Sequence, residues 1–401
     1  MKLLEVKKFI REGKAVISAE IVSSHLKEGK TIFFSYPEEF YDYLPDTADP
    51  FFPAILIPAM LTDRVLEVIP PFSQKMFDNQ ATIQDIFAAW HPGDFKKVKV
   101  VAQNLHNDPK KETVKNATFF SLGVDSMYSM LKYLPQNNPP AGKQLTSLVY
   151  MKGLELPLSV YSRGQDQDVI IAARKVGAHY NLDVVVGETN IRDVFPLDWE
   201  DHYFGPGLAA TALSLSNGFR NIYIPSSHSY AIFFHDPSSP LIDNLWSNEQ
   251  TNIFHDGSEK ERAEKIADLI IYDSFALNHL RVCVSNEGGG YNCGKCWKCI
   301  RTMVTLEILG VLKDSTTFPN KLPRHYYTEL RTYIPDSLEF TRENLKLAQR
   351  HGRKDLESRL QREIDIGTLD IYRNGKSVRS FFKEVLFYCF VKAARKTGFY
   401  Y

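Results

Sequence analysis

Residues 1 to about 112 alternate short runs of apolar and β-branched residues with proline-rich turns. Ala15–Ile21, Thr31–Phe34, Ala54–Ile57, Arg64–Ile69 and Val98–Val101 read as strands, separated by turns such as Pro45–Pro53 and Pro70-Pro71. One helical period interrupts them, at Ile83–Trp90. The pattern predicts a β-rich or α+β N-terminal domain over 1–112, with the charged stretch Asp108–Glu112 as a linker.

Beyond it the rhythm changes. Strands are expected at Ala117–Phe120, Ser147–Met151, Val184–Glu188 and Asn221–Pro225, with one helix following the turn after the first strand and others near 166–180 and 207–215. Met127, Met130, Leu131 and Leu134 mark the first of these helices by their i, i+3, i+4, i+7 spacing. Alternation of this kind predicts an α/β domain over 113–312, built on a parallel sheet with right-handed crossovers. A helical stripe at Ile300, Met303, Val304 and Ile308 stops at Gly310, and residues 313–401 read as a helical extension with a basic end.

Composition narrows the function classes. Lys plus Arg equals Asp plus Glu at 48 each, so a dedicated nucleic-acid binder with a broad basic face is disfavoured. No uncharged apolar run reaches the roughly 18 residues of a membrane span, and the N-terminus lacks a signal-peptide core. A cytoplasmic protein is therefore expected. The sequon at Asn116-Ala117-Thr118 is read as chance. Cys389 is read as a buried hydrophobe.

Two motifs carry chemistry. Ser121-Leu122-Gly123-Val124-Asp125-Ser126 falls where a strand gives way to a helix. There, backbone amides and the helix dipole favour phosphate, and an acid makes sense as a magnesium ligand. The alternative is an ordinary Asp/Ser helix cap. Cys283, Cys293, Cys296 and Cys299 follow in a glycine-rich stretch. Four thiolates at this spacing form a closed set for structural zinc, with an iron–sulfur cluster as the rival.

Together these motifs resemble the PP-loop ATP-pyrophosphatase superfamily, and within it the 7-cyano-7-deazaguanine synthase branch of queuosine biosynthesis. The superfamily pattern Ser-Gly-Gly-x-Asp-Ser stands here as Ser121–Ser126, with Leu122 in place of the first glycine. The branch pattern stands as Cys283 followed by Cys293-Gly294-Lys295-Cys296-Trp297-Lys298-Cys299. The likeness covers about 115–310. It implies a HUP-like nucleotide-binding fold and an AMP-forming ligase using ATP, Mg2+ and Zn2+. Such an enzyme adenylates a small carboxylate or a protein terminus, then transfers the acyl group to ammonia or an amine. In that reading Ser121, Leu122, Gly123, Val124, Asp125, Ser126, Ser226 and His228 bind nucleotide. Asp125, Ser126 and Lys152 act in catalysis, with Arg163 and Arg192 as further candidate cations. RNA modification, sulfur transfer and a non-catalytic nucleotide-binding module stay open, as does oligomerisation.

Overall fold

The computed structural model describes residues 1–26, 28–107, 113–160, 166–232, 234–283, 291–324, 326–330 and 335–375. Arg163, Gly288–Gly290, Cys389 and the basic C-terminal end lie outside them. The chain divides into two compact units, Met1–Lys260 and Glu261–Tyr401.

Among the described residues the first unit contains twelve strands: β1 (Lys2–Arg11), β2 (Lys14–Val22), β3 (Lys30–Pro37), β4 (Val65–Val68), β5 (Phe72–Ser73), β6 (Lys99–Ala102), β7 (Leu105–His106), β8 (Asn116–Phe119), β9 (Ser147–Lys152), β10 (Asp183–Thr189), β11 (Asn221–Pro225) and β12 (Asn252–Asp256). Its helices are α1 (Phe52–Thr62), α2 (Gln74–Trp90), α3 (Val124–Lys132), α4 (Gln167–Tyr180), α5 (Ile191–Val194) and α6 (Phe204–Ser214).

Ten strands form one mixed sheet in the order β12-β11-β8-β9-β10-β3-β2-β1-β4-β6. The run β10-β9-β8-β11-β12 is parallel throughout. Counted along the chain from β8, its spatial order is third, second, first, fourth, fifth, so the winding reverses between β8 and β11. Antiparallel pairing of Thr189 and Glu188 with Phe34 and Ser35 joins this run to the β3-β2-β1 meander. The expected boundary near 112 thus lies between strands of one sheet, and the one near 312 lies inside the second unit. A local polar stretch at 108–112 cannot reveal that β3 will pair with a strand some 150 residues later.

Ala54–Ile57 was the expectation that fails outright: it lies in α1, not in a strand. Every residue from Phe52 to Met60 is buried, so the helix is apolar all round and shows no amphipathic period to read. Pro58 inside it has no N–H for the carbonyl of Ala54. The buried Tyr203 hydroxyl donates to that carbonyl instead, at 2.5 Å. Asn116 is buried at the start of β8. Its side chain donates to the carbonyls of Gly142 and Gln144 and accepts from Asn221, so it is no glycan acceptor.

The second unit holds α7 (Arg262–Asp268), α8 (Ser274–Leu277), α9 (Trp297–Ile308), α10 (Tyr326–Glu329), α11 (Pro335–Arg350) and α12 (Lys354–Gly375). Ile300, Val304 and Ile308 of α9 share a core with Leu338, Leu345 and Ala348 of α11 and Leu356 and Leu360 of α12. Glu261 and Glu264 close a capping box at the start of α7, and their carboxylates also pair with Lys346 and Arg350 of α11. Among the described residues no helix is long and apolar enough to cross a membrane.

Candidate functional sites

The segment Ser121–Ser126 begins one residue beyond β8, after Phe120, and runs into α3, with Gly123 at the cap. Its shape is set from within. Ser126 Oγ donates to the Gly123 carbonyl at 3.1 Å and accepts the Ser121 amide at 3.3 Å. That hydroxyl, expected to face phosphate, is buried and committed to closing the turn. Ser121 is exposed and Asp125 half-buried in the first turn of α3. The first intrahelical bond is Met127 N–H to the Gly123 carbonyl, so the amides of Val124, Asp125 and Ser126 precede the helical ladder.

Leu122, the departure from the family pattern, adopts φ +66°, the left-handed region that glycine enters freely and leucine does not. Its side chain is fully buried, which offsets the strain. Left-handed backbone costs a non-glycine residue about 1–2 kcal/mol, whereas truncating a buried leucine costs about 2–5 kcal/mol. Leu122→Gly should therefore destabilise the protein, but by about 1 kcal/mol less than Leu122→Ala, the reverse of the usual ranking. Denaturant unfolding of the two variants checks this. An alanine variant as stable as the glycine one would remove the strain argument.

A polar clamp fixes α3 over the sheet. Asp256, buried at the end of β12, accepts from Ser129 at 2.6 Å, Tyr133 at 2.7 Å and Lys132 at 2.9 Å. Lys132 and Tyr128 also bind Glu259. Burial, and then the adjoining Asp256 carboxylate, push the Tyr133 phenol far above its ordinary range, so it stays protonated and donates.

The other sequence candidates lie at the carboxyl ends of neighbouring strands. Lys152 ends β9, half-buried. Arg192, in α5 after β10, donates to the carbonyls of Leu154 and Glu155 and packs over Trp199, which makes it a brace for the segment after β9. Ser226 follows β11. Its hydroxyl donates to the His228 carbonyl, accepts the His228 amide and accepts from Ser258, so it too shapes its own turn. Asp198 caps a helical turn by accepting from the Asp201 amide. His235 stacks on Trp90.

Ser226 and His228 line a cavity of about 280 Å3 beside the ends of β11 and β12. Ser121–Ser126 do not line it, so the structure does not bring the two sets into one cleft. The cavity wall also carries His255, which the sequence reading missed. His255 Nδ1 lies 2.8 Å from Oδ2 of the fully buried Asp243, which also accepts from Ser238. No short motif links residues twelve apart across a strand and a turn. The repeated Ser-Ser pairs at 226 and 238 were the only local hint.

In the second unit, Cys283, Cys293, Cys296 and Cys299 place their sulfurs within 4.8 Å of one another. Cys293 Sγ lies 3.9 Å from Cys299 Sγ, and Cys296 Sγ lies 4.0 Å from Cys283 Sγ. Four thiolates around one tetrahedral ion with bonds of about 2.3 Å would sit about 3.8 Å apart. The set can therefore chelate a metal. Gly294, at φ +67°, turns the chain between Cys293 and Cys296. The Lys295 and Cys296 amides donate to Cys293 Sγ. Cys296 caps α9, which carries Cys299 in its first turn. Asn292 ties the surrounding backbone by accepting from Val282 N–H and donating to the carbonyls of Leu280 and Thr317. Burial and the neighbouring sulfurs push the Cys299 thiol up in the absence of a cation.

No protein-family model matches this chain, and searches of curated proteins and of solved structures return no match.

Proposed function

We propose that the chain is an ATP-dependent, AMP-forming carbon–nitrogen ligase of the PP-loop type. It activates a carboxylate at the α-phosphate of ATP, releases pyrophosphate, and passes the acyl group to ammonia or an amine. One observation carries this reading. Ser121–Ser126 stand at the carboxyl end of β8, beside the reversal in strand order, where open parallel sheets take their ligands. The amides at the start of α3 supply donors for phosphate charge, and Gly123 permits close approach. Asp125 is the residue that would hold Mg2+, and the ion would neutralise the leaving pyrophosphate. Lys152, at the end of the strand next to β8, is the cation that this reading assigns to the same edge.

In the second unit the reading is structural Zn2+. The sulfur separations suit a single ion better than a cluster of several irons, and four sulfur ligands leave no place for water. Full-length protein incubated with ATP, Mg2+, ammonia and 7-carboxy-7-deazaguanine is expected to yield AMP, pyrophosphate and the amide or nitrile, read by mass spectrometry. Absence of AMP and of product would refute the reading. ATP binding without pyrophosphate release would favour a non-catalytic module, for which the bulky Leu122 in the turn is the supporting feature.

A further inference from the structure

Ser229, Ser239 and His255 line the cavity beside β11 and β12, together with apolar Ile232, Phe234 and Leu241. Ser229 Oγ and Ser239 Oγ are buried without a hydrogen-bonding partner, in residues only 7% and 4% exposed. Buried hydroxyls normally find partners, and each can both donate and accept. Two of them left over in one wall point to an occupant with polar groups of its own. Charge in that wall is already matched. Its one carboxylate among the described residues, Asp236, accepts the Ser238 amide at 2.9 Å and has a further interaction. His255 is paired through Nδ1 with the buried Asp243, 2.8 Å away. No lysine or arginine is among the described lining residues. A phosphate or carboxylate entering here would lose hydration with no cation to replace it, and an ammonium would find no carboxylate to itself.

We propose that this cavity binds a neutral small molecule that joins an apolar ring to an amide or hydroxyl group. The proposal stands apart from the ligase reading, since Ser121–Ser126 do not line the cavity. Size agrees with it. A dry cavity of about 150 Å3 already admits benzene, so the 280 Å3 here leaves room for a polar substituent. Ile232, Phe234 and Leu241 supply contact for the ring, and the two serines supply hydrogen bonds for the substituent. Asp243 accepts from His255 Nδ1, which leaves Nε2 of the neutral imidazole as an acceptor. A primary amide carries the matching set, one acceptor oxygen and two N–H donors.

Benzamide, benzoate and benzylamine share a ring and differ in charge, so they serve as the probes. Titration calorimetry on the full chain, carried to millimolar probe, should show saturable benzamide binding about tenfold tighter than that of either charged probe. Equal or tighter binding of benzoate or benzylamine would overturn the neutral assignment. Absence of saturable binding by all three would overturn the site. Ser229→Ala and Ser239→Ala should each weaken benzamide binding about three- to tenfold, the worth of one hydrogen bond. Neither should lower the melting temperature of the free protein, because an unpartnered buried hydroxyl contributes no bond to the fold. Unchanged affinity in both variants would place the binding elsewhere. A melting temperature that falls along with the affinity would reduce both hydroxyls to structural groups and overturn their role in binding.

Discussion

An Asp125→Ala variant is expected to lose ATP–pyrophosphate exchange by at least about 10²-fold, with melting temperature and cysteine-bound metal close to the parent's. The two halves of this expectation come from different physics. For stability, Asp125 is half-buried in the first turn of α3, where a carboxylate is worth about 0.3–1 kcal/mol through the helix dipole. The turn itself is closed by Ser126 and Gly123, and α3 is held by the Asp256 clamp, neither of which the substitution touches. For catalysis, on the proposed reading the carboxylate would face bound phosphate, a repulsion that a shared cation would relieve. Removing it would then remove that cation from the developing charge. Undiminished exchange in the variant would sink the role given to Asp125. A loss of exchange matched by a large fall in melting temperature would show that the residue acts through the fold instead. Asp125→Asn separates charge from shape and should fail like alanine.

Much of the parallel half of the sheet was legible because each of its elements announces itself locally. Asn221–Pro225 was read to the residue, and Ser147–Met151 and Val184–Glu188 to within one at each end. Strands buried on both faces read as continuous apolar runs, and their crossovers have ordinary helical periods. What the sequence hid was pairing. β1 looks charged because Lys2, Glu5 and Lys7 face solvent, while Leu3 is buried. β12, whose sequence is Asn-Ile-Phe-His-Asp, is too polar to stand out, yet it completes the parallel run and carries His255. α1 was lost for the opposite reason, having no polar face at all.

The candidate sites divide in the same way. The thiolate set was readable because sulfur ligands must cluster in sequence when short loops close a tetrahedron. The loop after β8 stands out as a candidate because the residues that suggest it lie within six positions. The serine hydroxyls could not be assigned from sequence, since Ser126 and Ser226 look like free donors until their turns are seen. The His255–Asp243 pair depends on a strand returning past a turn, a contact that composition and spacing do not encode.

Replacing Cys296 by serine, or stripping the metal with a strong chelator, is expected to cost the second unit more than any single core truncation. Binding free energies for structural zinc run to about 10–16 kcal/mol in small domains, against about 2–5 kcal/mol for a buried leucine cut to alanine. The surroundings explain why the metal should matter so much here. Between α8 and α9 the described backbone has almost no regular structure, and Asn292 and Asn278 hold it by a handful of bonds to Val282, Leu280, Thr316 and Thr317. Cys296 and Cys299 then start α9, whose Ile300 and Val304 enter the core shared with α11 and α12. Loss of one ligand therefore frees both the loop and the first turn of a core helix. The measurements are metal content by mass spectrometry and helical signal by circular dichroism, with the exposed Lys295→Ala as control. Acid should release the metal as well, because protons compete for the same thiolates. One zinc per chain with no iron or sulfide fits the tetrahedral reading. Iron and sulfide in stoichiometric amounts would replace it with a cluster. A metal-free protein that melts like the parent would mean that the four thiols merely pack as small apolar groups.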